Sequence, residues 1–160
     1  MQPNGSPIVA GLTGGIIIYV FYNIVFALSA LGMTFALQSL EAEGQRAGLE
    51  GQLNVNFMIR SGGFVALSLT TVFGLILGRR LFQRVSSCML TSLIAFGTIL
   101  ALVLGAQLVN ALFGTVAVWG TVKSNGVVAV LVSALLSAFI FALSLLIGGY
   151  YWRMERIIKT

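Results

Sequence analysis

The chain has 160 residues, of which 58% are hydrophobic and 8% charged, with nine Lys or Arg against four acidic residues and a net charge of +5. Soluble domains carry about 25% charged residues, and a small protein exposes too much surface for so few charges to cover. The composition excludes an ordinary soluble domain and predicts a single integral membrane domain, all-α.

Four apolar segments are predicted along the chain. The first runs from about residue 8 to 37, behind Pro3 and Pro7, where proline is tolerated at a helix start. The N-terminal MQPNGSPIVAG lacks the basic residues of a secretory signal, so this run reads as a retained helix. A polar stretch, residues 38–60, follows; it holds Glu41, Glu43, Arg46 and Glu50 and is interrupted by Gly44, Gly48 and Gly51. It reads as the main water-facing element, or as a helical extension that frays at Gly44. The second segment, residues 61–78, has a length of about 27 Å as a helix, just enough for the hydrocarbon core. A short basic connection with Arg79, Arg80 and Arg84 leads to the third, residues 88–113. The fourth, residues 126–151, opens at Ser124-Asn125-Gly126, a turn and N-cap cluster. No segment alternates in polarity as a barrel strand does.

Lysine and arginine counts predict the topology. The N-terminus, the second connection and the tail share one side of a four-helix chain and carry six basic residues. The other side carries three: Arg46, Arg60 and Lys123. Both termini are therefore expected on the cytoplasmic or stromal side. Tyr150, Tyr151 and Trp152, directly before Arg153, have the makings of an interfacial anchor, with Trp119 as its counterpart at the opposite interface.

Small residues recur at every fourth position in these segments. The second carries Gly62, Ala66, Thr70, Gly74 and Gly78; the third Gly97, Ala101 and Gly105; the fourth Ala134, Ala138 and Ala142; the first Gly11 and Gly15. Such rows let helices approach closely enough for van der Waals packing to hold them. They serve either packing within the bundle or docking of a foreign helix.

The stretch LVLGAQLVNALFG places Gln107 and Asn110 on one helix face, apart from the Gly97 row. An unpaired amide in lipid costs several kcal/mol. The two are expected to act as polar glue between helices, with Asn23 as a candidate partner. A contact to a pigment or lipid headgroup, or tolerance near the interface, are the other readings. Arg79, Arg80, Arg84, Arg153 and Arg156 are expected to snorkel to lipid headgroups.

The functional classes narrow accordingly. There is no histidine, no phosphate-binding glycine loop and a single cysteine, Cys88, so no internal disulfide is available. All four acids lie in the first loop or the tail, whereas a proton-driven pump needs an ionisable group inside the membrane. Catalysis is not expected, nor a nucleic-acid partner, despite the basic balance.

The run from Phe57 to Gly114 resembles an uncharacterised family of four-helix membrane proteins of cyanobacteria and plastids. The resemblance rests on Arg80-Leu81, Gly97 and Gly105-Ala106-Gln107. It implies a thylakoid or bacterial inner membrane and no assigned activity. The leading expectation is a non-catalytic subunit of a multi-subunit membrane complex, with a photosynthetic complex as one candidate, partnered by other membrane proteins. The alternatives are a small oligomeric passive channel or carrier, with Ser68 and Thr71 beside the amides, and an accessory protein holding chlorophyll, carotenoid or structural lipid.

Overall fold

The computed structural model describes residues 5–42, 55–113 and 116–158, with side-chain environments for 5–32, 35, 61–83, 85–109, 128 and 131–154. The core of the polar stretch, residues 43–54, lies outside the described residues. So do the side chains of Arg60, Arg84, Asn110, Trp119, Lys123 and Arg156.

Among the described residues the chain is all-helical, with four long helices: α1 Pro7–Ala42, α2 Val55–Leu81, α3 Cys88–Phe113 and α4 Val116–Ile158. Each contains a stretch long and apolar enough to cross a membrane: Pro7–Gly32, Ser61–Leu81, Cys88–Val109 and Leu131–Met154. Helices suit such sequences because every backbone polar group in them is satisfied within the segment. Large apolar side chains face outward on all four, among them Leu28, Phe64, Leu93 and Phe139.

Several boundaries differ from the sequence expectation: α2 runs from Val55 to Leu81 rather than over 61–78, α1 ends later than 37, and α4 both starts earlier than 126 and ends later than 151. Helix α1 runs on to Ala42, because nothing between Leu37 and Gly44 breaks it and Ala36, Leu40 and Ala42 favour helix. Helix α4 starts at Val116, and Ser124-Asn125-Gly126 lies inside it rather than at its start. A glycine in a helix interior costs about 1 kcal/mol against alanine, too little to end a helix that apolar residues continue on both sides. The start of α3 is well signposted: the backbone N–H of Leu90 donates to Ser87 Oγ at 3.3 Å and that of Thr91 to the Ser87 carbonyl at 3.2 Å, which makes Ser87 the N-cap.

The described chain forms two compact units, Val20–Thr70 and the combination of Met1–Tyr19 with Thr71–Thr160. In the first, the later part of α1 and the earlier part of α2 run antiparallel. Gly62 faces Ser29 and Ala30, Gly63 reaches Phe26, and the Tyr22 and Phe26 rings stack one helical turn apart with centroids 6.2 Å from each other.

In the second unit, parts of all four helices meet, and the contacts fix their order. A Cβ on Gly11 or Gly15 of α1 would collide with α3, 2.7 Å from the Thr91 carbonyl oxygen and 3.0 Å from that of Ala95. Gly78 of α2 lies on the Leu145 carbonyl of α4, and Gly148 of α4 lies on the Leu75 carbonyl of α2. Gly14 of α1 faces Leu81 of α2, and Ser92 of α3 donates its hydroxyl to the Ala142 carbonyl of α4 at 2.7 Å. Each helix in this unit therefore touches the next in the cyclic order α1, α2, α4, α3. The α1–α3 and α2–α4 neighbours run parallel, and the connection from α2 to α3 crosses the unit diagonally.

Candidate functional site

Rows of small residues are the most site-like feature of the sequence, and the structure puts them to two different uses. The α2 row is buried along its length: Gly62, Ala66 and Thr70 in one unit, Gly74 and Gly78 in the other. Gly74 faces the Ser144 side chain and lies near Ile18. Ala134, Ala138 and Ala142 of α4 are buried as well, with Phe141 and Leu145 beside them.

The α3 row behaves in the opposite way. Gly97, Ala101 and Gly105 are exposed, and a Cβ at either glycine would meet nothing within 4 Å. Packing inside this chain, one of the two expected uses, does not apply to them. The physical reason is that α3 packs through its other face, formed by Cys88, Thr91, Ser92, Ala95 and Ile99, all buried. There the hydroxyls supply what a plain glycine row lacks. Ser92 spends its hydrogen bond across the helix pair, while Thr91 and Thr98 return theirs to the Ser87 and Ile94 carbonyls of their own helix at 2.8 Å.

The amides do not form a described cluster. Gln107 is exposed. Burial against protein is not its position. Asn23 of α1 is also exposed, and the Asn110 side chain lies outside those described. Among the described residues, Thr70 is a buried polar group without a counterpart: its Oγ1 makes no hydrogen bond. Ser68 lies on the exposed side of α2 and returns its hydroxyl to the Phe64 carbonyl at 2.9 Å.

The arginines divide into two kinds. Arg79 and Arg80 are exposed in the last turn of α2, where positive charge also complements the helix dipole. Arg153, nominated as a headgroup ligand, instead reaches back into the protein. Its Nη2 donates to the Val85 carbonyl at 2.8 Å and to the Ser86 carbonyl at 3.1 Å. Val85 also forms an isolated parallel bridge with Gly5, ahead of α1. Phe82, in the single 3-10 turn Phe82–Arg84 that follows α2, is 1% exposed and occupies the space above Gly149, where a Cβ would overlap its ring. Sequence reasoning missed this arrangement. Gly148-Gly149 was the available signal, two adjacent glycines in an apolar helix just before the aromatic anchor.

Among the described residues, no group of three or more His, Cys, Asp or Glu side chains comes together as a metal site would require. Cys88 is a free, buried thiol. No protein-family model matches the chain, and no curated protein or solved structure is similar to it.

Proposed function

We propose that this protein is a non-catalytic subunit of a larger membrane complex and that α3 is its docking helix. The observation that carries the reading is the exposed row Gly97, Ala101 and Gly105, flat and unfilled at the centre of an apolar span. In lipid, where burying apolar surface gives helices little reason to associate, close backbone approach along such a row is the main source of attraction. The α2 and α1 glycines show how this chain uses equivalent rows when a partner helix is present. The reading takes the four apolar helices as membrane-inserted, with both termini on the cytoplasmic or stromal side by the six-to-three excess of basic residues. Arg79 and Arg80 then face anionic headgroups on that side. The resemblance to four-helix proteins of cyanobacteria and plastids makes a thylakoid or bacterial inner membrane the setting to test first.

The test is solubilisation of native membranes in mild detergent, followed by native electrophoresis. Wild-type protein is expected in an assembly larger than a small homo-oligomer. A variant carrying Gly97→Leu and Gly105→Leu is expected to run free, with its helix content unchanged. Migration of the wild type only as a monomer or small homo-oligomer would overturn the proposal.

A further inference from the structure

The link between α2 and α3, residues 82–87, lies across one end of its unit and is fastened from both sides. Gly5 pairs with Val85 from the start of α1, and Arg153 binds the Val85 and Ser86 carbonyls from the end of α4. Phe82 and Val85 are 1% and 2% exposed, so the link is itself tucked into the protein, and it ends on Cys88, which is 1% exposed. The Arg153 fastening has an exposed edge, since its bond to Ser86 lies at the surface. It is also made to uncharged acceptors, through one nitrogen, in a side chain with five N–H donors. A phosphate is a stronger acceptor for a guanidinium and takes it in bidentate geometry.

Two further observations say where such a phosphate would come from. Arg79 and Arg80 are exposed at the end of α2. The parallel register of α2 and α4, with Gly78 on Leu145 and Phe82 on Gly149, brings that end of α2 to the same end of the unit as Arg153. Tyr150 and Tyr151, exposed just before Arg153, are suited to the headgroup layer. A cluster of arginines at headgroup depth concentrates anionic lipid.

We propose that residues 82–87 form a latched strap, that Arg153 is its catch, and that the phosphate of an anionic phospholipid opens it by drawing the guanidinium off the Val85 and Ser86 carbonyls. The proposal rests on the reading that this basic end meets lipid headgroups. Opening releases the chain up to Cys88, which follows Ser87 directly and is the only thiol in the chain, so labelling of this buried side chain is the readout and needs no added label site.

The experiment follows N-ethylmaleimide labelling of Cys88 in the full-length protein in dodecyl maltoside, a detergent without phosphate. Labelling of the wild type is expected to be slow, limited by local opening. Phosphatidylglycerol added to the micelles is expected to raise the rate about tenfold or more, since even one lost charge-assisted hydrogen bond is worth about that factor and Arg153 gives up two. Arg153→Gln is expected to label fast without lipid and to ignore phosphatidylglycerol, while Arg153→Lys keeps part of the protection. Circular dichroism of each variant separates strap opening from loss of fold. Should Arg153→Gln fail to fold, the lipid titration of the wild type carries the test alone. A wild-type rate indifferent to phosphatidylglycerol, or a folded Arg153→Gln as protected as the wild type, overturns the strap. Equal acceleration by inorganic phosphate at matched concentration overturns the lipid as its opener. Native mass spectrometry of Arg79→Gln with Arg80→Gln tests the headgroup reading separately, since retention of phosphatidylglycerol at the wild-type level refutes that reading whatever Cys88 does.

Discussion

Alanine substitutions at glycines distinguish the two kinds of small-residue row by the sign of their effect. At Gly78 a new Cβ would lie against the Leu145 carbonyl oxygen and 2.9 Å from its carbonyl carbon; at Gly148 it would meet the Leu75 carbonyl in the same way. These are backbone atoms and cannot rotate aside, so α2 and α4 must separate by about 1 Å. A gap of that size forfeits a quarter to a half of each dispersion contact it opens. The neighbouring contacts of Gly74 with Ser144 and of Gly149 with Phe82 would loosen together. Overpacking of this kind costs about 1–3 kcal/mol. Alanine returns about 1 kcal/mol of helix propensity, which leaves Gly78→Ala and Gly148→Ala destabilised by up to about 2 kcal/mol. At Gly97 nothing lies within 4 Å, so only the propensity gain remains, and Gly97→Ala should stabilise the isolated protein by about 0.5–1 kcal/mol. Reversible unfolding in mixed micelles of dodecyl maltoside and SDS, followed by circular dichroism, measures all three. Gly78→Ala and Gly148→Ala proving as stable as Gly97→Ala would refute the close α2–α4 approach.

Ser92→Ala removes the hydroxyl bond to the Ala142 carbonyl and is expected to cost about 0.6–1.7 kcal/mol in the same assay. Ser144→Ala should cost less, because its hydroxyl returns to the Phe141 carbonyl of its own helix. Phe82→Ala empties the space above Gly149 and should destabilise by about 3 kcal/mol, with faster maleimide labelling of Cys88. Thr70→Val keeps the shape of a fully buried side chain and removes a hydroxyl that has no partner; a stabilisation of about 1 kcal/mol is expected, and a loss of stability would show that the hydroxyl is engaged.

What was legible in the sequence follows from its long apolar runs. The existence of the four helices is set by the apolar runs, and the start of α3 at Cys88 follows from Ser87. The rows of small residues were equally visible. Their destinations were not, because a period of four marks a flat face without saying what covers it. Gly62 to Gly78 and Gly97 to Gly105 have the same spacing, yet the first row is buried and the second is open. In a soluble protein the polarity of the remaining faces would decide between them. Here Leu90, Leu93 and Leu108 on the exposed side of α3 are as apolar as Ile99 on its buried side, so that signal is missing. Arg153 escaped for a related reason. Composition says that a basic residue after Tyr-Tyr-Trp belongs at the interface, and only the fold shows that two backbone carbonyls stand within its reach.

The diagonal link explains why that fastening is needed. Neighbouring helices pack about 8–10 Å apart, and glycine contacts favour the lower end, so the diagonal of a four-helix arrangement is about 12 Å. The six residues from Phe82 to Ser87 begin with a 3-10 turn, which advances about 2 Å per residue. The remaining three contribute about 10 Å when extended, and Val85 is extended, with φ −110° and ψ 141°. The total of about 16 Å covers the diagonal with little slack. An extended crossing has no helical partners for its backbone groups, and a buried, unpaired carbonyl costs about 1–3 kcal/mol. Gly5, just ahead of α1, pairs with Val85, and Arg153 of α4 donates to the Val85 and Ser86 carbonyls. Close packing of the parallel pairs, α1 with α3 and α2 with α4, therefore makes a short taut crossing possible. The same crossing calls for a donor at the end of α4, and Arg153 stands there.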